Sequence, residues 1–138
     1  MTIFYDNTPY KFSGWQKAKK LFDEIVKSEG KIVDEISFII TSDDYLLSVN
    51  KEFLNHDYFT DVISFNYSFE NNIVGEIYIS EDTVRRNSIK YNVHFDNEIL
   101  RVMIHGILHL VGYDDKTDAE KQKMRQLEDK WISIAMFS

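Results

Sequence analysis

The chain has 138 residues, a formal net charge of -7 and no cysteine, which fits one domain and excludes disulfides, thiolate zinc sites and cysteine nucleophiles. A pI near 5.0 argues against a protein that coats nucleic acid generally, although a local basic groove is compatible with it. With 43% hydrophobic residues a true core is expected, no apolar run is long enough to span a bilayer and no signal-peptide pattern opens the chain, so the expectation is a cytoplasmic domain with no membrane partner.

In chain order, "TIFY" at 2–5 offers an edge strand. A first helix is predicted over 14–29, with Ser13 as N-cap and Gln16 completing a capping box. Its stripe is Trp15, Ala18, Leu21, Phe22, Ile25 and Val26, and Gly30 stops it. "ISFIIT" at 36–41 reads as a buried strand. A helix over 42–54 carries Leu46, Leu47 and Phe53, and "DVISF" at 61–65 is the next strand. After an "ENN" turn, "NIVGEIYIS" at 72–80 pairs back as a hairpin strand. A helix is predicted over 80–91. Asp96 caps the following helix, and Thr117 with Glu120 forms a capping box for the last. The stripe of that last helix is Met124, Leu127, Trp131 and Ile134. This order predicts an α+β fold: a small mixed four-stranded sheet covered by about five helices.

The stretch "MIHGILHLVGYDD", 103–115, carries the chemistry. From 99 to 111 apolar residues go nearly all round, as in a buried helix. His105 and His109 are four apart and share a face. Two buried imidazoles need polar partners, since unpaired burial costs about 2–7 kcal/mol, and one shared metal ion serves both. Gly112 can take the left-handed conformation that ends a helix, so Asp115 can return to the two rings. The pattern H-x-x-x-H-x-x-G-x-x-D has metzincin ligand spacing with Asp in third place, and Asp114 competes for that place. The metal site is thus expected on a buried helix and its following loop. Zinc proteases carry Glu directly after the first His as general base, and here that position is Gly106.

"HGILHLVGYDD" closely resembles the H-G-x-L-H-L-x-G-Y-D-H signature of the YbeY family. Leu54 and Asn55, "TDVISF" at 60–65 and "GEIYIS" at 75–80 echo further family blocks in the same order. The resemblance implies a metal-dependent, single-strand-specific endoribonuclease of ribosomal RNA maturation, with ribosomal RNA, the ribosome and ribosome-associated proteins as partners. It implies that His105 and His109 bind one zinc ion per chain. The third ligand is normally His, and the matching position is Asp115; two His and one carboxylate is also an established zinc set. The carboxylate lowers the positive charge at the centre, which acidifies water less and lets harder cations compete. A second departure is the link "HDYF", 56–59, which lacks the basic residue that the family pattern places before the T-D-V block.

Transition-state charge on phosphate wants a cation, and the metal itself, Arg85, Arg86 and Arg101 are the candidates. The general base is unassigned, with Asp61, Ser64, His56 and Asp114 as candidates. Asp61 can equally pin a turn, and Asp114 can hydrogen-bond a ligand imidazole. Tyr113 reads as packed, and the lysines at 17, 19 and 20 as a solvated face. "KTDAEKQKMRQLEDK", 116–130, reads as an exposed charged face. Two rival readings are a metalloprotease, opposed by Gly106, and a non-catalytic ribosome-associated module whose metal only stabilises the fold. The latter predicts a fourth ligand from His56 or His94.

Overall fold

In the computed structural model, which describes residues 1–56 and 60–137, the chain order is β1 (Thr2–Tyr5), α1 (Trp15–Ser28), β2 (Ile32–Thr41), α2 (Asp43–Leu54), β3 (Val62–Asn66), β4 (Asn72–Ser80), α3 (Glu81–Lys90), α4 (Phe95–Leu110) and α5 (Asp118–Phe137). The strands form one mixed sheet in the order β1-β2-β4-β3. β1 and β4 run parallel to β2, and β3 runs antiparallel to β4. The architecture is α+β, as predicted.

Alternation assigns the two faces of the sheet. Phe38 and Ile40 of β2 stand level with Ile77 and Ile79 of β4, which face Ser64 and Val62 of β3. This side joins α1, α4 and α5 in the main core. On the other side Ile63, Phe65 and Tyr78 meet Leu46 and Val49 of α2 in a smaller cluster. α4 packs on α1, α3, α5, β3 and β4, and this enclosure is why it is apolar nearly all round. Ile99, Met103, Ile104, Ile107 and Leu108 are fully buried, each contributing about 1.5–3 kcal/mol. The histidine helix is therefore a rigid beam. Among the described residues no helix is long and apolar enough to cross a membrane.

Several local predictions need correction. Ser13 and Gln16 form no cap: α1 starts after Gly14 with no side-chain cap bond, and the entry is set instead by Phe12, which is buried in the core. Asp96 does not cap α4; His94 holds the N-cap position and makes no side-chain cap bond. Asp96 sits in the first turn, where its charge suits the helix dipole, and accepts a hydrogen bond from the Tyr10 hydroxyl. β2 begins at Ile32, four residues before the predicted strand. Its charged start is held by pairing with Asn72 to Val74 rather than by burial. Phe53 is exposed rather than part of a core stripe. By contrast, the Thr117 N–H donates to Glu120 at 2.9 Å and the Glu120 N–H to the Thr117 hydroxyl at 3.1 Å, completing that capping box.

Candidate metal centre

α4 presents His105 and His109 on one face, one turn apart, with ring centroids separated by 4.6 Å. Their Nε2 atoms lie 3.0 Å apart. The carboxylate of Asp115 completes a triangle, with Oδ2 at 3.2 Å from Nε2 of His105 and Oδ1 at 3.6 Å from Nε2 of His109. The turn that returns Asp115 is a Schellman motif. The Gly112 N–H bonds the His109 carbonyl and the Tyr113 N–H bonds the Leu108 carbonyl, with Gly112 at φ 116°. The Tyr113 hydroxyl donates to Glu29 at 2.9 Å, and Lys31 Nζ donates to the Val111 carbonyl at 2.7 Å. Asn66 of β3 donates to the Leu110 carbonyl at 3.2 Å. The loop that carries Asp115 is thus anchored on three sides.

The donor set fits a cation. Two atoms each about 2.0–2.1 Å from a tetrahedral zinc ion stand about 3.3–3.4 Å apart, and the three separations here bracket that value. His105 holds Nδ1 2.7 Å from Oε2 of Glu128, buried in α5. An ionised carboxylate only accepts, so Nδ1 donates to Glu128, and Nε2, which faces His109 and Asp115, is a lone pair whenever the ring is neutral. With both rings neutral and both Nε2 atoms unprotonated, three electron-pair donors face one another, an arrangement that a cation relieves. His105, His109 and Asp115 are the group among the described residues that could hold a metal ion.

Glu128 corrects the reading of 116–130 as a uniformly exposed face, since it is only 7% exposed. Its second oxygen takes Nη1 of Arg101 at 3.1 Å, while Nη2 of Arg101 reaches Asp129 at 2.8 Å. A chain of polar groups thus leads from Asp129 through Arg101 and Glu128 to His105. Burial opposes a charge on His105, but Glu128, Asp115 and Asp61 outweigh it and hold its pKa above the usual value. Burial, with His105 beside it, pushes His109 down.

The model of the family described as endoribonuclease YbeY matches residues 6–135. The chain belongs to the YbeY family. It is 48% identical over 110 residues to the endoribonuclease YbeY of Flavobacterium psychrophilum, covering 80% of this chain and 79% of that protein. Against the endoribonuclease YbeY of Flavobacterium johnsoniae it is 42% identical over 137 residues, covering 99% and 97%. It also resembles a solution structure of a Thermotoga maritima protein, with TM-score 0.67, 32% identity and coverage of 98% of this chain and 89% of that one.

The second residue of the YbeY signature, Gly106, has a packing role. A Cβ there would sit 2.7 Å from Cγ2 of Ile77, so α4 lies directly on β4 and this position points away from the metal group. No general base could act from it. The metal group opens onto a cleft of about 520 Å³ whose walls include His56, Asp61, Ser64 and Asp114. All four acid–base candidates are therefore brought to one place. Burial pushes the Asp61 carboxyl up, against the opposing charge of His105. The Asp61 carbonyl also accepts the Ser80 N–H at 2.9 Å, which ties β3 to the end of β4. The Ser64 hydroxyl is buried and has no hydrogen-bond partner among the described residues. Of the "HDYF" link, 57–59 lie outside the described residues. Arg85 pairs with Glu81 at 3.0 Å and lies over the Phe95 ring, and Arg86 pairs with Asp43 at 2.7 Å. Neither lines the cleft.

Glu128 is the site residue that sequence reasoning missed. A signal existed: it stands four after Met124 and three before Trp131, inside the buried stripe of α5. A charged residue on an apolar stripe marks a buried, paired charge.

Proposed function

We propose that this chain is a zinc-dependent endoribonuclease that cleaves single-stranded RNA in ribosomal RNA processing, acting in the cytoplasm on the ribosome or its precursors. One observation carries the reading. In a YbeY family chain, His105, His109 and Asp115 aim three donor atoms at one point, 3.0–3.6 Å apart, on the wall of an open cleft. Three protein ligands leave a position for water or substrate, whereas a purely structural zinc site is usually closed by four. His94, one of the two possible fourth ligands, instead occupies the N-cap of α4.

Zinc held by these residues would supply Lewis-acid stabilisation of the charge that builds on the phosphate. Glu128 fixes the His105 ring and its proton, leaving Nε2 free to bind. Asp61 would take a proton from the attacking group: it lines the cleft, and burial raises its proton affinity against the opposing charge of His105. Ser64, a cleft residue, has a buried hydroxyl with no partner among the described residues, and leaving such a group unpaired costs about 1–3 kcal/mol. Arg85 and Arg86 are phosphate-contact candidates that would have to exchange their carboxylate partners for RNA.

The test is cleavage of labelled single-stranded and double-stranded RNA by the zinc-loaded chain beside His109→Ala. Preferential cleavage of the single strand is expected, with a loss of about a thousandfold in the variant, equivalent to about 4 kcal/mol of stabilisation. Stoichiometric zinc without RNA cleavage would overturn the enzyme reading in favour of a binding module.

A further inference from the structure

The cleft beside the metal group contains no Lys or Arg among its described lining residues, yet an RNA strand brings one negative charge per nucleotide. The cations lie on the other side of the same metal group. A second cleft, of about 440 Å³, shares Asp61, Val62, His105 and Asp115 with the first. Its outer wall carries Arg101, Lys121 and Arg125, with Asn87 and Tyr91 facing them from α3 and its end.

The charges on this wall divide into spent and available ones. Arg101 is occupied by Glu128 and Asp129. Glu98 is buried, which pushes its carboxyl up, with Arg101 and Arg125 pulling against that. Asp115 belongs to the metal group. Lys121 and Arg125 are exposed at the mouth, one turn apart on α5, so their side chains share one face. Tyr91 is 55% exposed and offers a ring beside them. Two cations tracking a backbone and an aromatic platform for a base are the parts of a single-strand site.

Resting on the endoribonuclease reading, we propose that the RNA strand crosses the metal centre from the first cleft into the second. There Lys121 and Arg125 hold backbone phosphate next to the scissile one, and Tyr91 stacks a base. α5 thereby supplies the positive charge that the short 56–59 link lacks.

The experiment measures binding of a fluorescent 2′-O-methylated single-stranded RNA to the zinc-loaded chain over a salt series, with zinc content and RNA cleavage measured in parallel. The Lys121→Glu/Arg125→Glu variant should bind at least about tenfold more weakly, with a salt slope shallower by about 1.4, or about 0.7 for each phosphate no longer neutralised. Its zinc content should be unchanged. Tyr91→Ala should lose about fivefold or more. The charge-matched Lys123→Glu/Lys130→Glu variant, on the same helix outside the cleft, should bind as wild type. If the cleft variant binds like wild type, or if the control loses as much, the proposal is overturned and the endoribonuclease reading stands. If the wild type binds the probe through Lys121 and Arg125 but cleaves no RNA, the enzyme reading fails while the binding site stands.

Discussion

Nδ1 of His105 lies 2.7 Å from Oε2 of Glu128, a residue 23 positions further along the chain. The hydrogen bond joins α4, which carries both histidines, to α5 and requires a proton on Nδ1. A ligand imidazole held in this way is oriented before any ion arrives, and such outer partners commonly set metal affinity.

Glu128→Gln tests this relationship. An amide cannot accept from both Nδ1 of His105 and Nη1 of Arg101. In one flip its NH2 meets the guanidinium, and in the other it forces the His105 proton onto Nε2. Zinc affinity is expected to fall about 10–100-fold, read by competition against a chromogenic chelator. The ¹⁵N spectrum of His105 in the metal-free protein, taken at a pH where the ring is neutral, should lose its Nδ1–H signature. An unchanged tautomer and affinity would reduce the interaction to packing.

Asp115→His restores the side chain usual in the family signature. It should keep one zinc per chain, because the Gly112 turn places position 115 regardless of side chain. Asp115→Ala should weaken zinc by more than the about 10–100-fold expected for an outer partner. Calorimetric titration of the two variants checks this, and loss of zinc by Asp115→His would remove position 115 from the ligand set.

Gly106→Glu does not convert the site into that of a zinc protease. The new Cβ would meet Ile77 at 2.7 Å, and the carboxylate would be driven into the core. Gly106→Ala alone is expected to cost about 1–3 kcal/mol through overpacking, and the Glu variant more because its charge is buried unpaired. Urea unfolding measures both. Combining Gly106→Ala with Ile77→Ala should cost less than the sum of the single changes, because the clash disappears.

Asp43 ties the start of α2 to α3. Oδ1 accepts from the Ser80 and Thr83 hydroxyls, both at 2.5 Å, and Oδ2 takes Arg86 at 2.7 Å. Burial alone would raise its pKa, but these bonds outweigh it and hold the carboxyl below its ordinary 3.8. A depressed folded value means the stabilisation is complete above the unfolded value and vanishes as pH falls through the folded one. Asp43→Asn should cost about 1–2 kcal/mol at pH 7. The difference from wild type should shrink below about pH 4 in urea titrations.

Much of the site was legible because its parts are local. The spacing of His105 and His109 places them on one helix face whatever surrounds it, and Gly112 followed by Asp115 defines a turn of known reach. The Thr117–Glu120 box also lies within four residues. Ser13 and Asp96 failed as caps although their local patterns were equally good. Phe12 and Phe95 pack against the core, and this burial outweighs about 1 kcal/mol of capping energy.

The element types and the pairing of His105 with His109 on one helix face, with an aspartate returned after Gly112, thus follow from periodicity and spacing within about a dozen residues. The placement of β4 beside β2, the packing of Gly106 on Ile77, the burial of Glu128 against His105 and the second cleft lined by Lys121 and Arg125 do not. Each joins segments far apart in the chain. Such pairings are chosen by how the whole apolar surface is buried, a quantity that no short window contains.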